Sequence, residues 1–334
     1  FQRKNVLKWS LKNIEIQVIE QSNSNGMHYE YSSSYHALFI EDLLRALDLI
    51  QNNQVPLLNA SLEKLIKERI SRGLYWCRHL WENGYYVAIG DVNNQDCLEP
   101  QTLWRITNDL NINKLPTIEL NNLFPIIEKN EFKILLSNAP FSPDYNPAHS
   151  HCDKLAILLW YRNIPILIDT GNYNYENTFE RKFARSVEAH NTVQIDNMQQ
   201  AEMWGVFRVG NRGEVSNTQV TPDEIQSTFR YKKYLHTRVV RKVEKGIEIS
   251  DKLKCTGQHQ YKLYFHLNPD LSYQISENLV QFDNYLLQVM LPAGTVSTQK
   301  TDYYPVMYSK REKSTIVVSG NFKDFIILNT QFFQ

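Results

Sequence analysis

The sequence predicts an α+β chain in two parts, a helical segment over residues 1–114 and a large antiparallel β-sandwich over 115–334. Three observations carry this. In the first third, apolar residues recur at three- and four-residue steps, the period of one helix face. From Leu115 onward the texture changes to short alternating or β-branched runs, separated by turn signals such as Tyr161-Arg162-Asn163, Glu244-Lys245-Gly246 and Pro292-Ala293-Gly294. No helical runs alternate with them, which argues antiparallel rather than parallel sheet. With 334 residues, the chain also exceeds the usual single-domain size of about 100–200.

Taken in order, Ser10 to Gln21 places Leu11, Ile14, Ile16 and Val18 or Ile19 near one helix face. SNSNGMHYEYSSS follows, a Ser-, Asn- and Gly-rich loop of the kind that carries function on a helical scaffold. A second helix is expected over Tyr35 to Gln51, with Leu38, Phe39, Leu43, Leu44 and Leu47 at helical steps. A third is expected over Leu62 to Trp81, with Ser61 as N-cap and Glu63 in the first turn. These read as long helices packed in antiparallel pairs. Gly90 to Leu98, GDVNNQDCL, reads as an exposed loop. Strands are expected at KILLS, LAILLWY, IPILID, NTVQID, TRVVRKV, IEISDKL, YKLYFHL, LLQVML, STIVVSG and DFIILN.

Lys plus Arg equals Asp plus Glu at 36 each, so no global field draws the chain to nucleic acid or an anionic membrane. An anionic ligand must be met by a local cluster. The 19 Tyr, 15 Phe and 6 Trp suit sheet faces and also surfaces on which sugar rings stack. Cys77, Cys97, Cys152 and Cys255 form no C-x-x-C pair, hence neither a zinc ribbon nor a disulfide framework. No run reaches the 18 or so apolar residues of a membrane span. The chain opens FQRKNVLKWS, which has no apolar signal core and no Met, so an upstream segment is expected to have been lost.

The stretch AHSHCDK, Ala148 to Lys154, offers most chemistry. If extended, it projects His149, His151 and Asp153 to one side and Ser150, Cys152 and Lys154 to the other. A three-residue turn at Tyr161-Arg162-Asn163, with Asn163 left-handed, would bring Asp169 onto the face of Asp153, whereas a two-residue loop would put it on the other; Asn, which tolerates positive φ, favours the first. His151, Asp169 and His190 together offer two nitrogens and one oxygen, a zinc set with an open fourth position, although a polar seam in a sandwich accounts for such residues equally well. His149 and Asp153 would then support the ligands. A two-metal H-x-H-x-D-H hydrolase is disfavoured because Lys154 stands where its last His belongs.

NGMHYEYSSSYH before a helix, then HSHCDK, PILIDTGNYNY, RKFARSVEAHNTVQID and HTRVV in order, resemble the heparinase II/III-like polysaccharide lyases over nearly the whole chain. The resemblance implies the last helices of an (α/α) toroid followed by that family's β-sandwich. It implies cleavage of a uronate-containing acidic polysaccharide or oligosaccharide by β-elimination, with donors on the uronate carboxylate, a base for the adjacent carbon's proton and an acid for the departing oxygen.

By motif, Tyr35 matches the family's catalytic tyrosine and His149 the sandwich histidine that reaches the substrate carboxylate. His151, Asp169 and His190 match a zinc site that holds the cleft wall in shape. Glu30, Tyr173, Tyr175 and Arg185 are weaker candidates for touching substrate or propping these groups, and Arg181, Lys182 and Arg185 form the tight basic cluster nearest the motifs. His266 reads as a packed sheet residue, and His79 and His259 as surface residues.

One departure stands out. The family carries an Asn-His pair on upstream toroid helices, and the 34 residues before Tyr35 contain none. The expected function is therefore a lyase lacking part of its toroid here. The alternatives are a glycan-binding or bacterial surface-polysaccharide assembly protein with a structural zinc, and a zinc hydrolase. The expected location is periplasmic or secreted, with the cytoplasm as alternative.

Overall fold

The computed structural model describes residues 2–52, 60–110, 112, 122–283, 285 and 287–334. Two compact units share the chain: Phe1–Val87, Asp91–Glu119 and Ser142–His149 make one, and Ala88–Gly90, Leu120–Phe141 and Ser150–Gln334 the other. The expected boundary between residues 114 and 115 falls outside the described residues. AHSHCDK is cut by this division, which assigns His149 to the helical unit and His151 to the β-unit.

The helical unit contains α1 (Gln2–Gln21), α2 (Ser33–Asn52), α3 (Ala60–His79) and α4 (Pro100–Asp109). Leu11 and Val18 of α1 join Ile40, Leu44 and Leu47 of α2, Ile66, Ile70 and Leu74 of α3 and Leu103 of α4 in one core. Ile16 and Ile19, expected on the buried face, are 44% and 55% exposed, because the face that packs runs through Leu7, Leu11, Ile14 and Val18. Ser61 lies inside α3 rather than capping it, and Trp81 has left the helix to pair with Tyr86 in a two-residue hairpin turned by Asn83 and Gly84.

Gly73 lets α2 and α3 approach closely, since a Cβ there would stand 2.1 Å from Ile40 Cδ1. The loop before α2 is held rather than loose: Arg69, Arg72 and Trp76 of α3 donate to the carbonyls of Asn23, Ser24 and Asn25. Ser32 caps α2 by accepting from Tyr35 N–H at 3.2 Å.

The β-unit holds a four-stranded antiparallel sheet, Ile126–Lys129, Phe132–Leu136, Ile157–Tyr161 and Ile164–Leu167. A ten-stranded antiparallel sheet runs Glu214–Val220, Glu224–Tyr231, Tyr234–Val243, Gly246–His266, Arg311–Phe333, Gln288–Met290, Leu279–Phe282, Tyr273–Ser276, with Thr295–Tyr303 and Val193–Ile195 branching from its two long strands. Phe132, Ile134 and Leu159 of the small sheet share one buried core with Ile249, Leu263, Ile316 and Phe332 of the large one, the packing of a β-sandwich.

Three local expectations change. IEISDKL and YKLYFHL lie in one 21-residue strand, and STIVVSG and DFIILN in one of 23 residues. A bulge between Cys255 and Gln258 absorbs the apparent turn, with Gly257 left-handed and its N–H donating to Asp324. The turn after Tyr161 has two residues, Arg162 and Asn163, both left-handed, and the ladder slips between Leu159 and Trp160. AHSHCDK is irregular chain, with no strand until Ile157. The face argument that joined Asp153 to Asp169 therefore does not apply.

Among the described residues, no helix is long and apolar enough to cross a membrane.

Candidate active site

The helical unit gathers a tyrosine, a histidine and two carboxylates at one place. Tyr35, in the first turn of α2, lays its ring on the imidazole of His149, with centroids 3.9 Å apart and planes 29° from parallel. His149 Nδ1 stands 2.8 Å from Asp91 Oδ2. A carboxylate there can only accept, so Nδ1 carries the proton and Nε2 is left as the basic nitrogen of the neutral ring. Nε2 lies 3.7 Å from Glu30 Oε2, close enough for charge to be felt and too far for a hydrogen bond.

The backbone fixes this group. Asp91 N–H donates to His149 O at 3.1 Å, Ser32 Oγ donates to Asp91 O, and Ser142 Oγ donates to Glu30 O. Asn146 Nδ2 donates to Glu30 Oε1 at 2.6 Å and also reaches Tyr29 Oη. Asp91 is wholly buried and Glu30 nearly so, whereas Tyr35 and His149 keep partial exposure. Burial raises the pKa of Glu30 above the ordinary carboxylate value, against the lowering effect of His149 and of the Asn146 amide. A carboxyl held toward its neutral form can donate a hydrogen bond to an anionic substrate group.

The sequence had supplied Tyr35, His149 and Glu30 but neither Asp91 nor Asn146. Asp91 opens GDVNNQDCL, expected as an exposed loop, yet Gly90, Asp91 and Val92 are buried and only its middle, Gln95 and Asp96, is exposed. The single signal was a carboxylate beside a glycine. Asn146 precedes Pro147, a turn signal that says nothing of its side chain.

In the β-unit, His190 Nδ1 lies 2.6 Å from Asp169 Oδ2, and the His151 ring sits 5.5 Å from that of His190. All three are buried. Asn191, of the A-H-N-T-V motif, donates to Ile157 O and Ile168 O and accepts from His266 N–H, tying the segments together. Arg238 donates to Leu155 O and Asn191 O while paired with Asp251, so it clamps the chain on both sides of the group.

The donor kinds suit zinc, and His190 Nε2 is a buried nitrogen with no hydrogen-bond partner among the described residues. As placed, Asp169 and His190 are hydrogen-bonded to each other, and among the described residues no three such side chains converge to hold an ion. Asp153 pairs with Lys154 at 2.7 Å. Burial works against its charge, but Lys154, His190 and His151 more than offset that and bring its pKa down to about 2.

Of the remaining candidates, Arg185 is buried and donates to the carbonyls of Ser150, Val206 and Arg208, so it props the chain and is not open to substrate. Arg181 is likewise buried, on Val206 O and Asn172, which dissolves the expected basic surface cluster. Tyr175 lies under Arg181 and beside Phe207, while Tyr173 packs against Tyr304 and Tyr308. His266 is buried in the sheet, as read. His79 stacks on Tyr75, and His259 pairs with Asp196.

The family model described as heparinase II/III-like, C-terminal, matches residues 124–325. No curated protein matches. Among solved structures, a heparinase III, at 15% identity and a TM-score of 0.74, aligns with 98% of this chain and 55% of its own. The heparan sulfate lyase HepC from Pedobacter heparinus, at 15% and 0.73, aligns over 99% and 56%. A further heparinase III, at 16% and 0.71, aligns over 99% and 58%. The chain thus spans little more than half the length of these structures, and at such identities the likeness is one of fold.

Proposed function

Since the chain belongs to the heparinase II/III-like family, we propose that it acts in the β-elimination of a uronate-containing polysaccharide, with Tyr35 and His149 at the reacting sugar. The carrying observation is the Tyr35 ring stacked at 3.9 Å on a histidine whose other nitrogen is fixed by Asp91.

Elimination needs the proton on the carbon beside the carboxylate, C5, to leave while the C4–oxygen bond breaks. That proton is too weakly acidic until charge on the carboxylate is neutralised. Glu30, whose pKa burial raises, would donate to one carboxylate oxygen in its protonated form, and His149, with Asp91 accepting from Nδ1–H, would donate to the other through Nε2–H when the ring carries a second proton. Tyr35, as phenolate, takes the C5 proton and returns it to the departing O4 on the same sugar face. The electron pair of the C5–H bond becomes the C4=C5 double bond, no water enters, and Tyr35 is regenerated.

A zinc ion belongs to the same reading. His151, Asp169 and His190 would hold it, with His190 Nε2 the nitrogen in need of a partner. It would supply structural cross-linking of the segments that Asn191 and Arg238 already clamp. No catalytic step depends on it.

The test is a panel of acidic glycans, among them heparan sulfate, hyaluronan, alginate and polygalacturonate, followed by the ultraviolet absorbance of an unsaturated uronate. Absorbance that grows with the wild-type chain and is lost in Tyr35→Phe supports the reading. Saturable binding without any new double bond would instead make this a glycan-binding protein.

A further inference from the structure

A groove of about 590 Å³ is built wholly within the β-unit. Side chains alternate along a strand, so where Leu263 and Phe265 enter the core, Lys262 and Tyr264 line the groove on the opposite face. Cross-strand pairing widens this floor. Tyr264 stands opposite Val317, which stands opposite Ser297, and Lys262 opposite Ser319, which stands opposite Thr295. A second hollow of about 270 Å³ shares Lys262 and Ser319, so the depression continues along the same strands.

One wall is the short helix Phe179–Ala184. Phe179 and Phe183, one helical turn apart, hold their rings within 2° of parallel, and Phe179 is 70% exposed. An aromatic face so open to water beside hydroxyls, amides and ammonium groups has the composition that recognises a sugar: apolar C–H faces on the ring, polar edges, and cations for acidic substituents.

The floor is fixed in advance. Tyr264 Oη donates to Gln194, whose amide donates to Glu188, and Gln199 donates to the other oxygen of the same carboxylate. Both Glu188 oxygens are thus engaged. Among the described residues, the Lys262 ammonium bonds a neutral partner, the Asn197 amide oxygen, and Lys182 is exposed on the helix wall. Neither lysine has its charge cancelled by these bonds.

We propose that this groove binds an acidic oligosaccharide, with a sugar ring on Phe179 and its carboxylate or sulfate groups on Lys182 and Lys262. The site rests on the reading that the chain handles an acidic glycan, and it is independent of elimination. It would hold a stretch of the polymer that is not being cleaved.

The test is calorimetric titration of the full chain with hexasaccharides of hyaluronan, heparan sulfate, alginate and polygalacturonate, with maltohexaose as neutral control. An acidic hexamer is expected to bind with an affinity that falls as salt rises. Phe179→Ala and, separately, Lys182→Glu should each weaken that binding about tenfold. Both side chains are exposed, so unchanged melting temperatures will confirm that the variants fold.

If no acidic hexamer binds, if maltohexaose binds as well, or if both variants bind like wild type, the groove assignment is wrong. Unsaturated product formed with groove variants that bind normally would remove the groove and leave the elimination standing. Groove-dependent binding without product from any glycan would do the reverse.

Discussion

Acid should destabilise the helical unit through His36 and His28, the two histidines that bracket Glu30 and Tyr35. His36 Nδ1 accepts from His28 N–H at 3.1 Å, and Nε2–H donates to Gly73 O at 2.8 Å, so both nitrogens are satisfied by a neutral ring. A second proton would set two donors against each other at Nδ1. Burial pushes the pKa of His36 down to about 4, against a small opposing effect of the Gly73 carbonyl. Burial, then the charges of His36 and His149, bring His28 to about 3.

Both groups have folded values below their unfolded value of 6.5. Between those values the unfolded chain binds protons that the folded chain does not, so stability falls as pH falls through the window. At about pH 5 the unfolded histidine gains about 1.5 units' worth of protonation, or about 2 kcal/mol for each residue relative to about pH 7. Urea unfolding followed by far-ultraviolet circular dichroism at about pH 7 and about pH 5 measures it. In His36→Gln the side-chain carbonyl can still accept from His28 N–H but cannot titrate, and the loss between the two pH values should shrink by about 2 kcal/mol. A variant as acid-sensitive as wild type would refute the reasoning.

Asp91→Asn leaves the shape of the site but frees the His149 tautomer, and turnover of an acidic glycan should fall about 100-fold with KM little changed, measured by initial rates. If Glu30 donates to the substrate carboxylate as proposed, activity should decline as pH rises through its raised pKa, and Glu30→Gln should lose that limb of the pH–rate profile. Elemental analysis after desalting should find one zinc per chain in wild type and none in His190→Ala. Chelation should lower the melting temperature before it lowers the specific activity of the chain that stays folded. Zinc loss with full thermal stability would confine His151, Asp169 and His190 to a hydrogen-bonded seam.

Much of this was legible in the residues because it depends on local pattern. The switch from helical spacing to short β-branched runs marked the two kinds of structure, and the S-S-S-Y-H and H-S-H segments identified the Tyr35 and His149 that end up stacked. What remained hidden depends on distance in sequence or on exceptions to periodicity. Asp91 meets His149 across 58 residues, and a carboxylate beside a glycine in a polar stretch does not by itself announce burial. Alternation in AHSHCDK imitates a strand, but Leu155 turns left-handed just after it and Arg238 holds that turn by its carbonyl. The two long strands read as four because Gly257 and Asp324 look like turn residues while forming a bulge. Arg181, Lys182 and Arg185 read as a surface cluster, since only the fold reveals the carbonyls that bury two of them.

Turnover of an acidic glycan in water enriched in oxygen-18, with products read by mass spectrometry and proton NMR, tests the central claim most directly. Elimination at Tyr35 predicts a C4=C5 double bond at the new non-reducing end, no heavy oxygen incorporated at the cleaved bond, and loss of both products in Tyr35→Phe. A saturated product carrying oxygen-18 from solvent would mean that water attacks the bond, and would contradict the assignment of Tyr35 to proton transfer and of His149 to the carboxylate in an elimination.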